Sequence, residues 1–564
     1  MDKHGPLMSS QILLTRSQGE RWFKAEYVPN RTIWAKGHLF DYQGKLWEEQ
    51  HLPNYFADAV DELGLMAALT RANGCFSVII TTGAVILAAV DRLRSFPLYY
   101  AFEENIVLLG DDPGTIKKKL DICEFDSTSA DEFAMCGYVI GRNTLYRQIK
   151  EIQAGEYVRF AEGQIVPIRY YLHLHGDYYK ANEDTHFQAL KTISEEIVHR
   201  LVLSAGGRPI IVPLSGGYDS RYIVCMLKEI GYQQVICYTY GRADSHEVSI
   251  SKHVAESLDF QWHFVEYTRE KIEWTLREDE SWSAFSDYCH QLSSLPHIQD
   301  YIALRELIAK GTLPTNGIVV PGFCGDLLGG SYVPVEVQAG SADVLTRIGI
   351  VRYLAERHLS LRMFPDDRAT SEIVQHIAEN VAEYQVTDDS VDAFIGLNEA
   401  WFTSHKVAKF VVNSLRVYEF FGLSWRMPLW DQRLIDYWYR VPVAERLNEK
   451  LYDRFLFHQY FIPYGVAYRK VTINRSLRLY RVLALLHLPD SLIKKINSVL
   501  KKVFHRFQKK TLHFNAFDDF EHFYRSELDQ VGLEFFSHAH VNAVYARWYL
   551  WHHYGYKRAL HPIN

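Results

Sequence analysis

Ser215-Gly216-Gly217-Tyr218-Asp219-Ser220 follows a short apolar run, Pro209 to Leu214. It opens a stretch, Asp219 to Ile230, that puts Ile223, Leu227 and Ile230 on one helical face before Gly231 ends it. The local order is therefore buried strand, tight turn, helix. Two glycines let the backbone approach a ligand closely, while the serine hydroxyls and the free N–H groups of the opening helical turn make a nest for phosphate oxygens. Asp219 at the rim offers a carboxylate for the magnesium that a pyrophosphate group needs. A plain strand-to-helix turn with capping serines is the bland reading of the same residues.

The pattern continues outward from this loop. Val235 to Thr239 reads as a strand, His246 to Leu258 as a helix, Phe264 and Val265 as the end of another strand, and Gly317 to Val320 as a further one. Such alternation predicts a parallel sheet covered by helices on both faces, a doubly wound α/β domain. Beyond about Arg347, helical periodicity and large aromatics run through to Trp548, Trp551 and Tyr554, which predicts a helical half packed on that sheet. Upstream, from Thr32 to about Tyr171, short apolar or alternating runs (Cys75 to Ile80, Val85 to Val90, Leu98 to Phe102, Ile106 to Leu109, Tyr157 to Phe160) predict a β-layered domain. The polar stretch His173 to His186 has neither period. The expected division is a first domain over 1–172, a linker over 173–186 and an α/β domain over 187–564.

The chain has 564 residues, 48% hydrophobic and 23% charged, as a folded enzyme-sized protein does. A formal charge of only −7 gives no global reason to expect nucleic acid as a partner. Seven cysteines without a C-x-x-C pair or zinc spacing suit a reducing compartment. Met1 to Arg21 lacks an apolar signal core, and no run of eighteen uncharged apolar residues occurs, so the expected location is the cytoplasm. Ser491 to Lys510 carries Lys494, Lys495, Lys501, Lys502, Arg506, Lys509 and Lys510 with no acid, and Leu492, Ile493, Ile496, Leu500, Val503 and Phe507 at helical spacing. Such a helix can lie peripherally on an anionic membrane, although packing by its apolar face is the commoner outcome.

S-G-G-x-D-S resembles the pyrophosphate loop of the N-type ATP pyrophosphatases. Pro321-Gly322-Phe323-Cys324-Gly325-Asp326-Leu327-Leu328-Gly329-Gly330 is similar to the S-G-E-G-x-D-E-x-x-G-G segment of the asparagine synthetase superfamily. Arg426-Met427-Pro428-Leu429-Trp430-Asp431 is similar to its R-x-P-F-L-D, and Tyr468-Arg469-Lys470 to its late R-x-K. In the first domain, Asn73-Gly74-Cys75-Phe76, Asp91-Arg92-Leu93 through Pro97-Leu98-Tyr99-Tyr100, and Gly137-Tyr138-Val139 resemble landmarks of the family's glutaminase-like domain, of the Ntn type. The resemblance implies ATP and Mg2+ as cofactors, with Asp219 and Asp326 as magnesium carboxylates and Lys470 stabilising the departing pyrophosphate. It also implies nucleotide contacts from Leu214, Ser215, Gly216, Gly217, Asp219, Ser220, Tyr240, Gly241 and Gly322, the adenine lying near Leu214 and the Val235 to Gly241 strand end.

Departures matter for function. Glutamine-hydrolysing members use a cysteine directly after the initiating methionine, where the chain's own α-amine serves as base. Here that residue is Asp2, and Ala35-Lys36-Gly37-His38-Leu39-Phe40 stands roughly where the glutamine-binding segment belongs. The first domain is therefore expected to be a degenerate, inactive glutaminase. Phe323 replaces the glutamate of S-G-E-G, and one residue is missing between Asp326 and Gly329-Gly330, so the expected acid is not aspartate. The resemblance implies a ligase that adenylates a small-molecule carboxylate and transfers ammonia or an amine to it, with a sugar acid of a surface-polysaccharide precursor as the leading substrate. An ammonia-dependent asparagine synthetase, a lasso-peptide or β-lactam-type cyclase and a non-catalytic scaffold remain as alternatives.

Overall fold

The computed structural model describes residues 9–15, 20–27, 30–103, 106–121, 123–334, 337, 349–359, 361, 367–469, 516–533 and 541–557. Asp2, Lys470 and the basic stretch 491–510 lie outside them.

The first part is built from two sheets. One has the order β1 (Ser9–Leu13), β8 (Ile106–Gly110), β7 (Tyr99–Glu103), β9 (Lys150–Glu151). The other runs β11 (Gln164–Arg169), β10 (Glu156–Ala161), β6 (Val85–Val90), β5 (Asn73–Thr82), β3 (Arg31–Phe40), β2 (Trp22–Tyr27), with β4 (Leu46–Glu48) on β3. Strand alternation divides the core into two layers, because successive side chains point to opposite faces. Ile79, Ala88 and Val158 meet Val107 and Leu109 of the smaller sheet. Phe76, Val78, Ile80 and Leu87 face the other way, onto Leu65 and Leu69 of the helix Glu62–Arg71.

The second part centres on a five-stranded sheet in the order β14 (Gln261–Glu266), β13 (Val235–Gly241), β12 (Ile210–Pro213), β15 (Ile318–Val319), β16 (Ser424–Trp425). Every neighbouring pair is parallel. The chain steps from β12 outward through β13 and β14, then returns to add β15 and β16 on the other side. Its topological switch point therefore lies between β12 and β15, where open α/β sheets bind ligands beyond the carboxyl ends of the strands. Beyond Gly349 helices dominate, among them Ile350–His358, Asp367–Ala382, Val391–Trp401, Phe517–Gln530 and Val541–Tyr554.

The two parts share one continuous core. Phe96, Tyr99 and Phe133 of the first belong to the same apolar cluster as Tyr222, Trp425 and Tyr549 of the second, and the Phe133 and Tyr549 rings stack at 5.7 Å. The stretch read as a linker is pinned rather than loose. His173 is buried against Trp430 and Tyr439, and the His175 ring stacks on Tyr439 at 4.4 Å. Its last four residues, Glu183 to His186, are already helical, because the Asn182 side chain accepts from Thr185 N and caps the long helix Glu183–Ala205. One polar helical turn is too short to show a period. Among the described residues no helix is long and apolar enough to cross a membrane.

Candidate active site

Strand β12 delivers its chain into the Ser215–Ser220 loop, and the helix Tyr218–Glu229 starts there with Gly217 as its N-cap and no side-chain cap. The loop is braced internally. Gly217 N donates to Ser215 Oγ at 3.1 Å, and Ser215 N donates to Ser220 Oγ at 3.2 Å. From below, the fully buried Arg221 donates to Gly216 O at 2.7 Å and to the carbonyls of Val466 and Tyr468 at 3.0 and 2.6 Å. One guanidinium thus ties the loop to the segment that leads towards Lys470.

At the switch point the second glycine-rich turn comes to meet this loop. A Cβ on Gly322 would sit 2.4 Å from Ser220 N, so only glycine permits the approach. Asp219 stitches the two turns together: its Oδ2 accepts from Gly325 N at 2.8 Å and from Asp326 N at 3.3 Å, while Oδ1 accepts from Tyr452 Oη at 2.7 Å. Cys324 holds a left-handed conformation at φ +76°, which costs a non-glycine residue on the order of 1–2 kcal/mol. The turn is held in place by Arg446, whose Nε donates to Leu328 O at 3.0 Å and whose Nη2 pairs with Glu399 at 2.9 Å.

Asp219 and Asp326 therefore sit on adjacent turns. Mg2+ takes one or two protein carboxylates and completes its shell with water and phosphate oxygens, so this pair fits it. Among the described residues no group of three or more His, Cys, Asp and Glu side chains converges as a closed metal cage would need.

Leu214, Ser215, Gly217, Ser220, Tyr240 and Gly322 line a cavity of about 360 Å³. Gly216 and Gly241 lie beside it without lining it. Gly216 N donates instead to Glu247 Oε2 at 3.1 Å, and Gly241 ends β13 at φ +130°. Phe323 is also in the wall, together with Tyr238, Glu247, His297, Gln299, Asp300 and Tyr418. Sequence reading missed Glu247, Asp300, Tyr418 and Tyr452. They come from four separate segments with no fixed spacing to the loop.

The R-x-P-x-x-D segment has a different setting. Arg426 and Asp431 do not pair with each other. Arg426 donates to Glu48 Oε2 at 2.9 Å and Glu20 Oε1 at 3.2 Å in the first part of the chain. Asp431 accepts from Arg200 Nε at 2.8 Å and Asn73 Nδ2 at 3.0 Å. These residues join the two parts. Cys75, on the same strand as Asn73, is buried, and burial pushes its thiol far above the usual range, with the nearby Asp91 carboxylate adding to the effect.

No curated protein matches the sequence. Among solved structures, the glutamine phosphoribosylpyrophosphate amidotransferase from B. subtilis complexed with ADP and GMP is 10% identical, with 53% of this chain and 63% of that chain covered and a TM-score of 0.19. An allosteric regulatory enzyme of purine biosynthesis is also 10% identical, with 43% and 62% covered and a TM-score of 0.19. The chain thus spans a little under two thirds of each, and likeness at that score is too slight to bear on the fold. Family models are decisive where those structures are not. The glutamine amidotransferase domain model matches residues 54–171. The asparagine synthase model matches residues 195–480, just over half the chain, and takes in β12, both glycine-rich turns, Tyr452 and Arg426 to Asp431. The chain belongs to the asparagine synthase family.

Proposed function

We propose that the protein is an ATP-dependent amide-forming ligase that adenylates a carboxylate, releases AMP and pyrophosphate, and transfers ammonia or an amine to the acyl group. The observation that carries this reading is the meeting of the Ser215–Ser220 loop with the Gly322 turn at the sheet's switch point, backbone against backbone, with Asp219 and Asp326 on the two turns. Phosphate groups suit the uncapped helix start, and a nucleoside suits the cavity walled by Leu214 and Tyr240.

In this reading a carboxylate oxygen attacks the α-phosphorus of ATP, and the bond to the β-phosphate breaks. Pyrophosphate departs into the loop, where Asp219 and Asp326 would hold Mg2+ to neutralise it. Nitrogen then attacks the acyl carbon and AMP leaves. The chain's contribution is positioning and charge neutralisation by the loop N–H groups and the two carboxylates, with Lys470 on the departing pyrophosphate.

The acid is proposed to be a sugar acid of a surface-polysaccharide precursor. Phe323 stands in the cavity wall where aspartate-using relatives carry a glutamate, and its ring offers a face for stacking on a sugar. Pyrophosphate release from ATP, screened with uronic-acid sugar nucleotides and with aspartate, tests this. Release with a uronic acid and none with aspartate is expected; robust release with aspartate would favour the ammonia-dependent asparagine synthetase reading.

A further inference from the structure

A second cavity, of about 690 Å³, lies between the two parts of the chain and shares no wall residue with the one beside the Ser215–Ser220 loop. The first part gives it Lys36, Phe96 and Lys117, and the second gives it Gln291, Arg416 and Tyr554. Lys36 is only 4% exposed, yet its ammonium donates to no described residue. The Asp111 carboxylate stands 3.6 Å away but is already taken up. Its Oδ1 accepts from Thr15 N at 2.8 Å, and its Oδ2 accepts from Thr15 Oγ1 at 2.9 Å and Trp22 Nε1 at 2.7 Å. The ammonium is not sealed in protein; it opens into the cavity.

Gln291 repeats this pattern from the other side. It is 8% exposed, and its Oε1 accepts from Tyr99 Oη at 3.0 Å. Its amide nitrogen donates to no described residue and also opens into the cavity. Two groups from different parts of the chain, each more than nine-tenths buried, thus turn unused N–H donors into one space. Buried donors of this kind are costly unless an acceptor completes them.

The rest of the wall narrows that acceptor's chemistry. Asp112 is turned to its own backbone, accepting from Gly114 N at 3.0 Å and Thr115 N at 3.1 Å, and Arg416 is matched by Glu419 at 2.8 Å. Burial holds the His290 and His553 imidazoles down at about 3 and about 4, so neither adds charge near neutral pH. Four cations, Lys36, Lys117, Lys118 and Arg416, therefore face three carboxylates, Asp111, Asp112 and Asp287. The excess is positive, and the groups left unused on Lys36 and Gln291 are donors, so the cavity suits an anion. A phosphate group offers three strong acceptor oxygens to donors that approach from two sides, one more than a carboxylate has. The space far exceeds inorganic phosphate, and Phe96, Pro97 and Leu292 give it an apolar face for an organic remainder.

We propose that this cavity binds a small organic phosphate ester, held by Lys36 from one part of the chain and Gln291 from the other. The site is separate from the ligase reading and does not rest on it. Calorimetric titration of the full-length chain with phenyl phosphate, benzoate and benzyl alcohol tests it. Phenyl phosphate should bind at least tenfold more tightly than benzoate, and benzyl alcohol should not bind. Lys36→Met keeps the buried stem and leaves Asp111 its three donors, while Gln291→Glu keeps the shape and turns a donor into a repelling charge. Each variant should weaken phenyl phosphate at least tenfold, the loss expected for one hydrogen bond to a charged group.

Melting curves establish that the variants are folded, and if Lys36→Met is not, Gln291→Glu carries the comparison. Wild-type protein that ignores phenyl phosphate, or that binds benzoate as tightly, overturns the proposal without any variant. Folded variants that bind phenyl phosphate as tightly as the wild type would place the phosphate elsewhere, the Ser215–Ser220 loop included, and overturn it as well.

Discussion

The Tyr452 hydroxyl donates to Asp219 Oδ1 at 2.7 Å across 233 positions of sequence. A side chain far downstream thus aims the carboxylate of the Ser215–Ser220 loop. Tyr452 is 2% exposed, and its ring also fills the space beside Gly325 and Gly329, where a Cβ would come within 2.8 Å of it or closer.

Replacing Tyr452 by phenylalanine keeps that packing and removes one hydrogen bond to a charged group, worth about 1.5–3 kcal/mol. The Mg2+ concentration for half-maximal nucleotide turnover should therefore rise by up to about a hundredfold, and the melting temperature should fall as well. A magnesium titration identical to the wild type would show that the backbone N–H groups of Gly325 and Asp326 orient Asp219 unaided.

Acid should loosen the turn that carries Asp326. Burial would raise the carboxyl of Glu399, but Arg446 and His175 outweigh it and hold it at about 2, below the ordinary value of 4.5. Because the folded value is the lower one, its contribution is present above about pH 4.5 and is lost as pH falls towards 2. That contribution is up to roughly 3 kcal/mol. Stability measured by urea denaturation between pH 5 and 3 should fall less steeply in Glu399→Gln than in the wild type. Parallel curves would assign the acid sensitivity to other groups.

Legibility in the sequence followed contiguity. The Ser215–Ser220 loop could be read because its glycines, its serines and Asp219 are adjacent and sit between a strand run and a helical period. The layered first part was visible through short apolar runs, such as Cys75 to Ile80 in β5, that are buried on both faces. Asp300 and Tyr418 were not visible, because a cavity wall assembled from distant segments leaves no spacing to detect, and Tyr452 was not, because its bond to Asp219 spans 233 positions. Arg426 and Asp431 were legible as a family pattern, yet nothing local could show that Glu48 and Asn73 would be their partners. Likewise Glu183 to His186 looked like linker because a single capped turn is shorter than any period.

Docking of the two parts should depend on Asp431. Its carboxylate takes up Arg200 and Asn73 and caps the helix Gln432–Trp438 through Arg433 N at 3.0 Å. Asp431→Ala breaks the hydrogen bond to Asn73 in the first part and leaves the Arg200 guanidinium with Glu196 as its remaining carboxylate, a loss of about 1.5–3 kcal/mol for a hydrogen bond to a charged group. Calorimetry should show a lower melting temperature and limited proteolysis should cut faster between the two parts. A variant as stable and as resistant as the wild type would mean that the shared apolar core alone fixes their docking.

The products of turnover bear most directly on the ligase reading. With ATP, Mg2+, an accepted acid and an amine, chromatography of the nucleotides together with a pyrophosphate assay should give AMP and pyrophosphate in equal amounts. Asp219→Ala should reduce both by at least a hundredfold, because it removes the carboxylate proposed to hold Mg2+ and the link to the Gly325 turn together. ADP and inorganic phosphate as the products, or an Asp219→Ala protein that releases pyrophosphate at the wild-type rate, would contradict the account.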